Sequence, residues 1–210
     1  MNFRNLSTAI VAGLTVTCGS AFANDPMADP IFDLKADKAN VFSYNYAEAS
    51  YVSLDGNFDG FKFAGSYDVT KNLGVAASYM TTSAGTLDLS MFSVDAIYHF
   101  QFDKFSDVEQ LKNMDLVLHA GIENGEYDFG TTFFGTSSVD DTGLRFGAKA
   151  RVRLTSQIEA FADVSYTTLF SGDLIITGGG VYSVNEQIGV FASYELSDLS
   201  TLSIGGRFSF

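Results

Sequence analysis

The chain has 210 residues, with 12 Lys and Arg against 25 Asp and Glu, so its formal net charge is −13. This length suits a single domain. The acidic balance argues against a nucleic-acid-binding protein, which needs a basic face. After residue 23 no segment has 18 consecutive apolar residues, so no membrane-spanning helix is predicted there.

Residues 1–23 have the layout of a secretory signal peptide. Arg4 supplies a positive start, an apolar run follows, and the sequence AFA ending at Ala23 matches an A-x-A cleavage site. The apolar run is shorter than the ~20 residues of a spanning helix. Cys18, the single cysteine of the chain, is expected to leave with this segment, so the remaining chain would hold no disulfide.

Residues 24–40 are polar and acidic, and they contain both prolines of the chain, Pro26 and Pro30. We interpret them as a flexible periplasmic N-terminal arm. Because proline cannot donate a hydrogen bond to a β-ladder, a proline-free stretch from residue 41 onward suits a body made of strands. Residues 41–210 are therefore predicted to form one barrel domain.

From residue 41 onward, apolar and polar residues alternate with a period of two, which predicts strands. In residues 143–154, for example, one face carries Leu144 and Phe146 and the other carries Arg145 and Lys149. The opening segment, near residues 42–53, alternates least cleanly. Ten such segments occur, most of them ~9–13 residues long and therefore near the ~9–11 that a tilted strand needs to cross a bilayer. We predict an all-β fold, a transmembrane antiparallel up-and-down β-barrel of ten strands, with eight strands as the alternative.

A soluble β-sandwich also alternates, but the two faces favour a membrane barrel. The apolar face is rich in small and aliphatic residues, which suits lipid better than an interlocking core. Tyrosines recur near segment ends, which predicts an aromatic girdle at each membrane interface. The positions of these tyrosines are Tyr67, Tyr98 and Tyr182 for one girdle and Tyr79, Tyr166 and Tyr194 for the other.

With these features the chain resembles the small outer-membrane β-barrel proteins of Gram-negative bacteria, the broad OmpA/OmpX-like group. The resemblance rests on the signal ending AFA, the strand-turn unit FAGSYDVTKNLGVAASYM and the terminal IGGRFSF. It implies a monomer in the outer membrane, reached across the inner membrane, with lipid and lipopolysaccharide around it. Phe208 and the terminal aromatic Phe210 look like the signal read by the outer-membrane assembly machinery.

The polar face of the predicted strands would line the lumen, because a basic side chain facing lipid costs ~2–4 kcal/mol at the midplane. The candidate lumen charge network comprises Glu48, Lys62, Asp95, His119, Glu123, Arg145, Lys149, Arg151, Arg153, Glu159, Asp163, Glu195 and Arg207. In so narrow a barrel these charges predict a plug of crosslinked ion pairs. The alternative is a narrow ion-conducting pore.

Sites for chemistry are poorly supported by the sequence. Asp55, Asn57 and Asp59 are spaced like the first half of a calcium loop, but the required twelfth-position Glu is replaced by Ser66. His119 and Glu123 share a strand face ~13 Å apart, too far to hydrogen-bond directly. We predict no enzymatic activity, no cofactor and no metal.

The best candidates for surface contact lie in the long acidic connection around residues 124–141. They are Tyr127, Phe129, Phe133 and Phe134, since exposed aromatic patches often mark contact surfaces; equally, they could simply extend the strands. The predicted function is a structural or adhesion-like role at the cell surface. A narrow passive channel is the second hypothesis, and a membrane-embedded hydrolase or acyltransferase is the third.

Overall fold

The computed structural model describes residues 42–55, 57–101, 113–132 and 135–210. The predicted signal peptide (1–23), the predicted arm (24–40), and the candidates Phe133 and Phe134 lie outside these ranges. In the described residues no helix is long and apolar enough to cross a membrane.

The described residues form ten strands and one short 3₁₀ helix, Leu169–Ser171. The strands are β1 (Tyr46–Leu54), β2 (Phe58–Asp68), β3 (Leu73–Ala84), β4 (Leu87–Gln101), β5 (Met114–Thr132), β6 (Gly135–Arg153), β7 (Ile158–Thr167), β8 (Asp173–Ser183), β9 (Ile188–Leu196) and β10 (Thr201–Ser209). The prediction of ten strands is confirmed, and the alternative of eight is wrong. The predicted opening strand begins late, at Tyr46, because residues 42–45 leave the wall.

Each strand pairs antiparallel with its neighbours in the sequence, and the sheet closes where β1 pairs with β10. At this seam Glu48 lies opposite Arg207, and the backbone N–H of Phe210 donates to the carbonyl of Asn45 at 3.0 Å. Closure leaves no unpaired sheet edge in the barrel wall. We call the end of the barrel that holds residues 42–45 and Phe210 the inner end, and the opposite end the outer end.

The outside of the barrel is apolar and the inside is polar. Phe61, Ile122 and Leu144 are each about 60% exposed, although side chains of this size are normally buried in water-soluble proteins. The alternation places their neighbours Lys62, Glu123 and Arg145 on the interior face. Such an exterior requires a lipid environment.

The tyrosines predicted to form the two girdles are all exposed on the barrel exterior, between 39% and 55%. Tyr67 and Tyr182 precede the last residues of β2 and β8 at the inner end, and Tyr166 precedes the last residue of β7 at the outer end. These rings, with an apolar body and a polar tip, suit the two membrane–water interfaces.

The β5–β6 hairpin projects beyond the other strands at the outer end. Both strands have 19 residues. β4 pairs with β5 no further than Asp128, and β6 pairs with β7 only from Arg145. The described part of the tip, residues 129–132 and 135–140, therefore lies beyond the barrel wall, whereas residues 141–144 contact the connection that follows β7.

Candidate lumen site

The structure places all thirteen candidate network residues on the interior face. A central cavity of about 190 Å³ is lined by every one of them except Glu123 and Arg153. Serines from several strands share its lining, among them Ser78 and Ser93, whose hydroxyls lie 2.8 Å apart. The interior therefore has three levels: an inner end, this cavity, and an outer end.

A chain of ion pairs lies at the inner end. Arg151 donates from Nε to Oε1 of Glu159 at 2.8 Å and from Nη2 to Oε2 at 2.9 Å. Glu159 is also 3.8 Å from Arg207, which binds Glu48 at 2.6 Å across the β1–β10 seam. Buried charges need such partners, and this network joins β6 and β7 to the two strands that close the barrel.

Residues 42–45 fold into the inner mouth, which sequence reasoning missed. Phe42 and Tyr44 are 2% and 4% exposed. The Tyr44 ring stacks on His99 with centroids 4.0 Å apart, and its hydroxyl donates to Oδ2 of Asp115 at 2.8 Å. Burial raises the pKa of the Tyr44 phenol against the opposing charge of Arg151, so the hydroxyl remains a neutral donor. The only sequence signal was the irregular alternation of this segment.

His119 finds its partners on neighbouring strands. Its Nε2 lies 3.1 Å from Oδ2 of Asp163 on β7, and its Nδ1 lies 3.9 Å from Oδ1 of Asp95 on β4. Glu123, on the same strand face as His119, instead accepts a hydrogen bond from the Thr167 hydroxyl. These contacts hold the histidine as a crosslink between walls of the barrel.

Three cations around the cavity contrast with the paired arginines at the inner end. Among the described residues, Lys62, Arg145 and Lys149 have no carboxylate oxygen within 4.0 Å. Lys149 instead lies 5.3 Å from the centre of the Phe161 ring, and the buried Nε of Arg145 has no hydrogen-bond partner in the part of the chain that the structure describes. The charges of the lumen are therefore only partly crosslinked.

The outer end of the lumen is apolar. Val52, Leu54, Met80 and Leu89 form a buried cluster, each at most 8% exposed. The side chains that pack against it are Phe58, Met91, Tyr127 and Leu199. On β1 the alternation places Val52 and Leu54 on the same face as Glu48, so the lumen changes from charged to apolar along one strand.

The surface-contact candidates that the structure describes occupy two different environments. Tyr127 packs on the apolar cluster and lies 5.0 Å from the Phe170 ring, so it belongs to the closure of the outer end. Phe129, two residues further along the hairpin, is 43% exposed. At the inner end Phe208 and Phe210 are exposed, and their ring centroids lie 6.3 Å apart. Their role in assembly stays a prediction.

Of the three calcium-like residues, Asp55 and Asn57 lie in the tight connection between β1 and β2, and Asp59 lies within β2. Asp55 has a left-handed φ of 41°, and the N–H of Asn57 donates to the carbonyl of Leu54 at 3.1 Å. Such a turn favours Asp and Asn for backbone reasons alone. In the part of the chain that the structure describes, no group of three or more His, Cys, Asp or Glu side chains could hold a metal ion.

Comparison with known proteins finds likeness in structure only. No protein-family model matches the chain, and no curated protein matches it in sequence. Among solved structures, the KdgM porin is 10% identical with a TM-score of 0.47, over 79% of this chain and 99% of that one.

Two other solved structures are also similar. Ail, the attachment invasion locus protein of Yersinia pestis, is 20% identical with a TM-score of 0.41, over 79% of this chain and 94% of that one. The N-terminal β-barrel domain of Pseudomonas aeruginosa OprF is 16% identical with a TM-score of 0.41, over 80% and 100%. At these values the likenesses carry no functional inference. The closed ring of ten antiparallel strands, apolar outside and charged inside, gives the chain the architecture of a small outer-membrane β-barrel.

Proposed function

We propose that the protein is an integral outer-membrane barrel with a sealed lumen and a structural or adhesion-like role at the cell surface, and that it is not an enzyme. The observation that carries this proposal is the filling of the lumen at both ends. Phe42, Tyr44 and Arg151 occupy the inner mouth, and the cluster around Leu89 occupies the outer end.

The two fillings oppose ion flow for different reasons. An ion that crosses the outer end must give up its water among apolar side chains, and such constrictions block pores by dewetting. An ion that crosses the inner end meets an arginine already bound to Glu159 and to the carbonyl of Ser43. The intervening cavity of about 190 Å³ therefore lies between two barriers.

The described part of the hairpin tip, residues 129–132 and 135–140, supports the surface-contact part of the proposal. It lies beyond the barrel wall and carries exposed Phe129 and Val139 next to acidic Asp140. Exposed apolar side chains beside carboxylates suit a neighbouring lipopolysaccharide layer, where divalent cations can bridge carboxylate and phosphate. Outer-membrane lipid, lipopolysaccharide and the assembly machinery are the proposed partners of a monomer.

Single-channel recording in a planar bilayer tests the sealed lumen. Refolded protein, with folding verified by heat-modifiable gel migration, should leave the bilayer silent. A steady conductance that changes in size or ion preference with Arg151→Ala would contradict the proposal. It would also support the second candidate, a narrow channel.

The surface role needs a separate experiment on lipopolysaccharide-containing vesicles. Replacement of residues 129–137 by a short Gly-Ser turn that joins the paired residues Asp128 and Ser138, combined with Val139→Ser, should reduce binding of the outer end to lipopolysaccharide while gel migration of the barrel stays unchanged. Thr86→Gly, in the β3–β4 turn at the same end of the barrel, is the control and should leave binding unchanged. Equal binding by both variants would argue against the hairpin as the contact.

The channel is kept as a second candidate because of the central cavity. Lys62, Arg145 and Lys149 face it without carboxylate contacts among the described residues, which is the arrangement expected for a pore that admits anions. If the protein conducts, Lys149→Met should lower its preference for anions. Unchanged ion selectivity would mean that these cations stabilise the barrel wall and do not select ions.

A further inference from the structure

Residues 42–45 cross the inner mouth before β1 begins. Tyr44 is two residues from the start of β1, yet its contacts are with His99 on β4, Asp115 on β5 and Arg151 on β6. In the closed ring of ten strands β6 lies opposite β1. The segment therefore reaches across the opening to the far wall.

The far wall holds this segment through a specific pattern of contacts. The Arg151 guanidinium lies 4.7 Å from the centre of the Phe42 ring and 4.5 Å from that of Tyr44. Between the two rings, its Nη atoms donate to the carbonyl of Ser43 at 3.3 and 3.4 Å. Glu159 binds the same guanidinium from behind and fixes its plane.

This arrangement recognises an aromatic-x-aromatic peptide segment. In an extended chain residues i and i+2 share one face, so two rings can meet one planar guanidinium while the intervening carbonyl accepts its hydrogen bonds. Arginine suits this because its planar group stacks on rings and donates at the same time. Ile97 and Val117 complete the apolar part of the site around Phe42 and Tyr44.

We propose that the inner mouth is a docking site for residues 42–45, and that this segment is a releasable cork which closes the central cavity toward the periplasm. The inference rests on the proposed sealed lumen and goes beyond it, because it assigns one of the two seals to a part of the chain outside the wall. A segment held mainly by a few side chains can open locally without unfolding the barrel. Its release would expose the cavity and its cations to periplasmic solutes.

The experiment measures access to the cavity with a thiol placed in it. In a Cys18→Ser background, which has no cysteine, Ser93→Cys puts a reporter in the cavity lining. The rate at which a charged methanethiosulfonate reagent modifies this reporter should rise about tenfold when Phe42→Ala and Tyr44→Ala are added, as expected for a loss of cation–π contacts. An unchanged rate in a folded variant would overturn the proposal.

Two matched controls separate the cork from general loosening. A second reporter, Thr82→Cys, lies on the interior face toward the outer end and should keep its rate; equal acceleration at both positions would overturn the proposal. Tyr98→Ala removes an exterior ring near the same end and should leave position 93 protected.

A milder variant keeps the test valid if the double substitution prevents folding. Tyr44→Phe removes only the hydrogen bond to Asp115, and a smaller rise in modification rate is expected; no rise would overturn the proposal. The sealed lumen and the cork can be contradicted separately. Conductance by the wild-type protein would contradict the sealed lumen. If the wild type does not conduct and neither variant of residues 42–45 raises the modification rate at position 93, only the cork is contradicted.

Discussion

The two ends of the lumen are closed by different means. At the inner end a non-strand segment is held by stacked rings, charge-assisted hydrogen bonds and the pair Arg151–Glu159. At the outer end Val52, Leu89 and their neighbours project from the strands themselves and meet in an apolar cluster. The inner seal therefore depends on a few directional contacts, whereas the outer seal depends on close packing of apolar side chains.

The largest expected effect is at the inner end. Arg151→Ala should lower the free energy of unfolding by about 3–5 kcal/mol, because it leaves the buried Glu159 carboxylate without its bidentate partner. Urea titration of the refolded barrel in micelles measures this. Arg153→Ala, on the same strand face, is the control, and its free energy of unfolding should fall by less. A loss under 1 kcal/mol for Arg151→Ala would mean that the network does not anchor the inner end.

At the outer end Leu89→Ala should lower the free energy of unfolding by about 3 kcal/mol, since Leu89 is 1% exposed and its loss leaves a cavity. This loss should be independent of salt, unlike that of a charge-based seal. The same urea titration, repeated at high and low salt, tests it. Leu174→Ala, which removes an equal side chain from the lipid face, is the matched comparison.

A smaller effect is expected for Tyr44→Phe, which deletes one buried hydrogen bond to a carboxylate and should lower stability by about 1.5 kcal/mol. Tyr98→Phe makes the same chemical change on the exterior and serves as the control. Equal losses for the two variants would show that the Tyr44–Asp115 bond does not contribute to closure.

The smallest effect is expected on the hairpin tip. Asp140→Asn and Val139→Ala should each change stability by no more than about 0.5 kcal/mol, as exposed positions usually do. Both side chains lie outside the barrel wall. A larger change, measured by the same titration, would show that the tip packs against the barrel.

The strands could be predicted from the sequence because a period of two is a local property. On β6 the alternation of Leu144 and Phe146 with Arg145 and Lys149 identifies the strand and both its faces. The tight turns and the exposed tyrosines follow from the same pattern. The antiparallel order follows from the short connections that join most successive strands, although the connection between β4 and β5, residues 102–113, is longer.

The contacts across the lumen could not be predicted in this way. His119 bonds to Asp163, 44 residues away, and Arg151 contacts Ser43, 108 residues away. Which side chains meet depends on barrel size and register, which set what lies opposite each residue. Tyr127 illustrates the limit: its place in an acidic connection suggested a surface role, but register places it against the outer cluster.

The sequence by itself determined that the chain makes alternating strands, which face lies outward and which residues line the interior, because pleating fixes these from one residue to the next. Only the tertiary structure decided how the interior is closed. In the sequence, residues 42–45 belong to the irregular opening segment, and no pattern distinguishes Val52 and Leu54 from other apolar residues. Their roles exist only once closure of the ring brings β1 opposite β6 and gathers apolar side chains from several strands at one end.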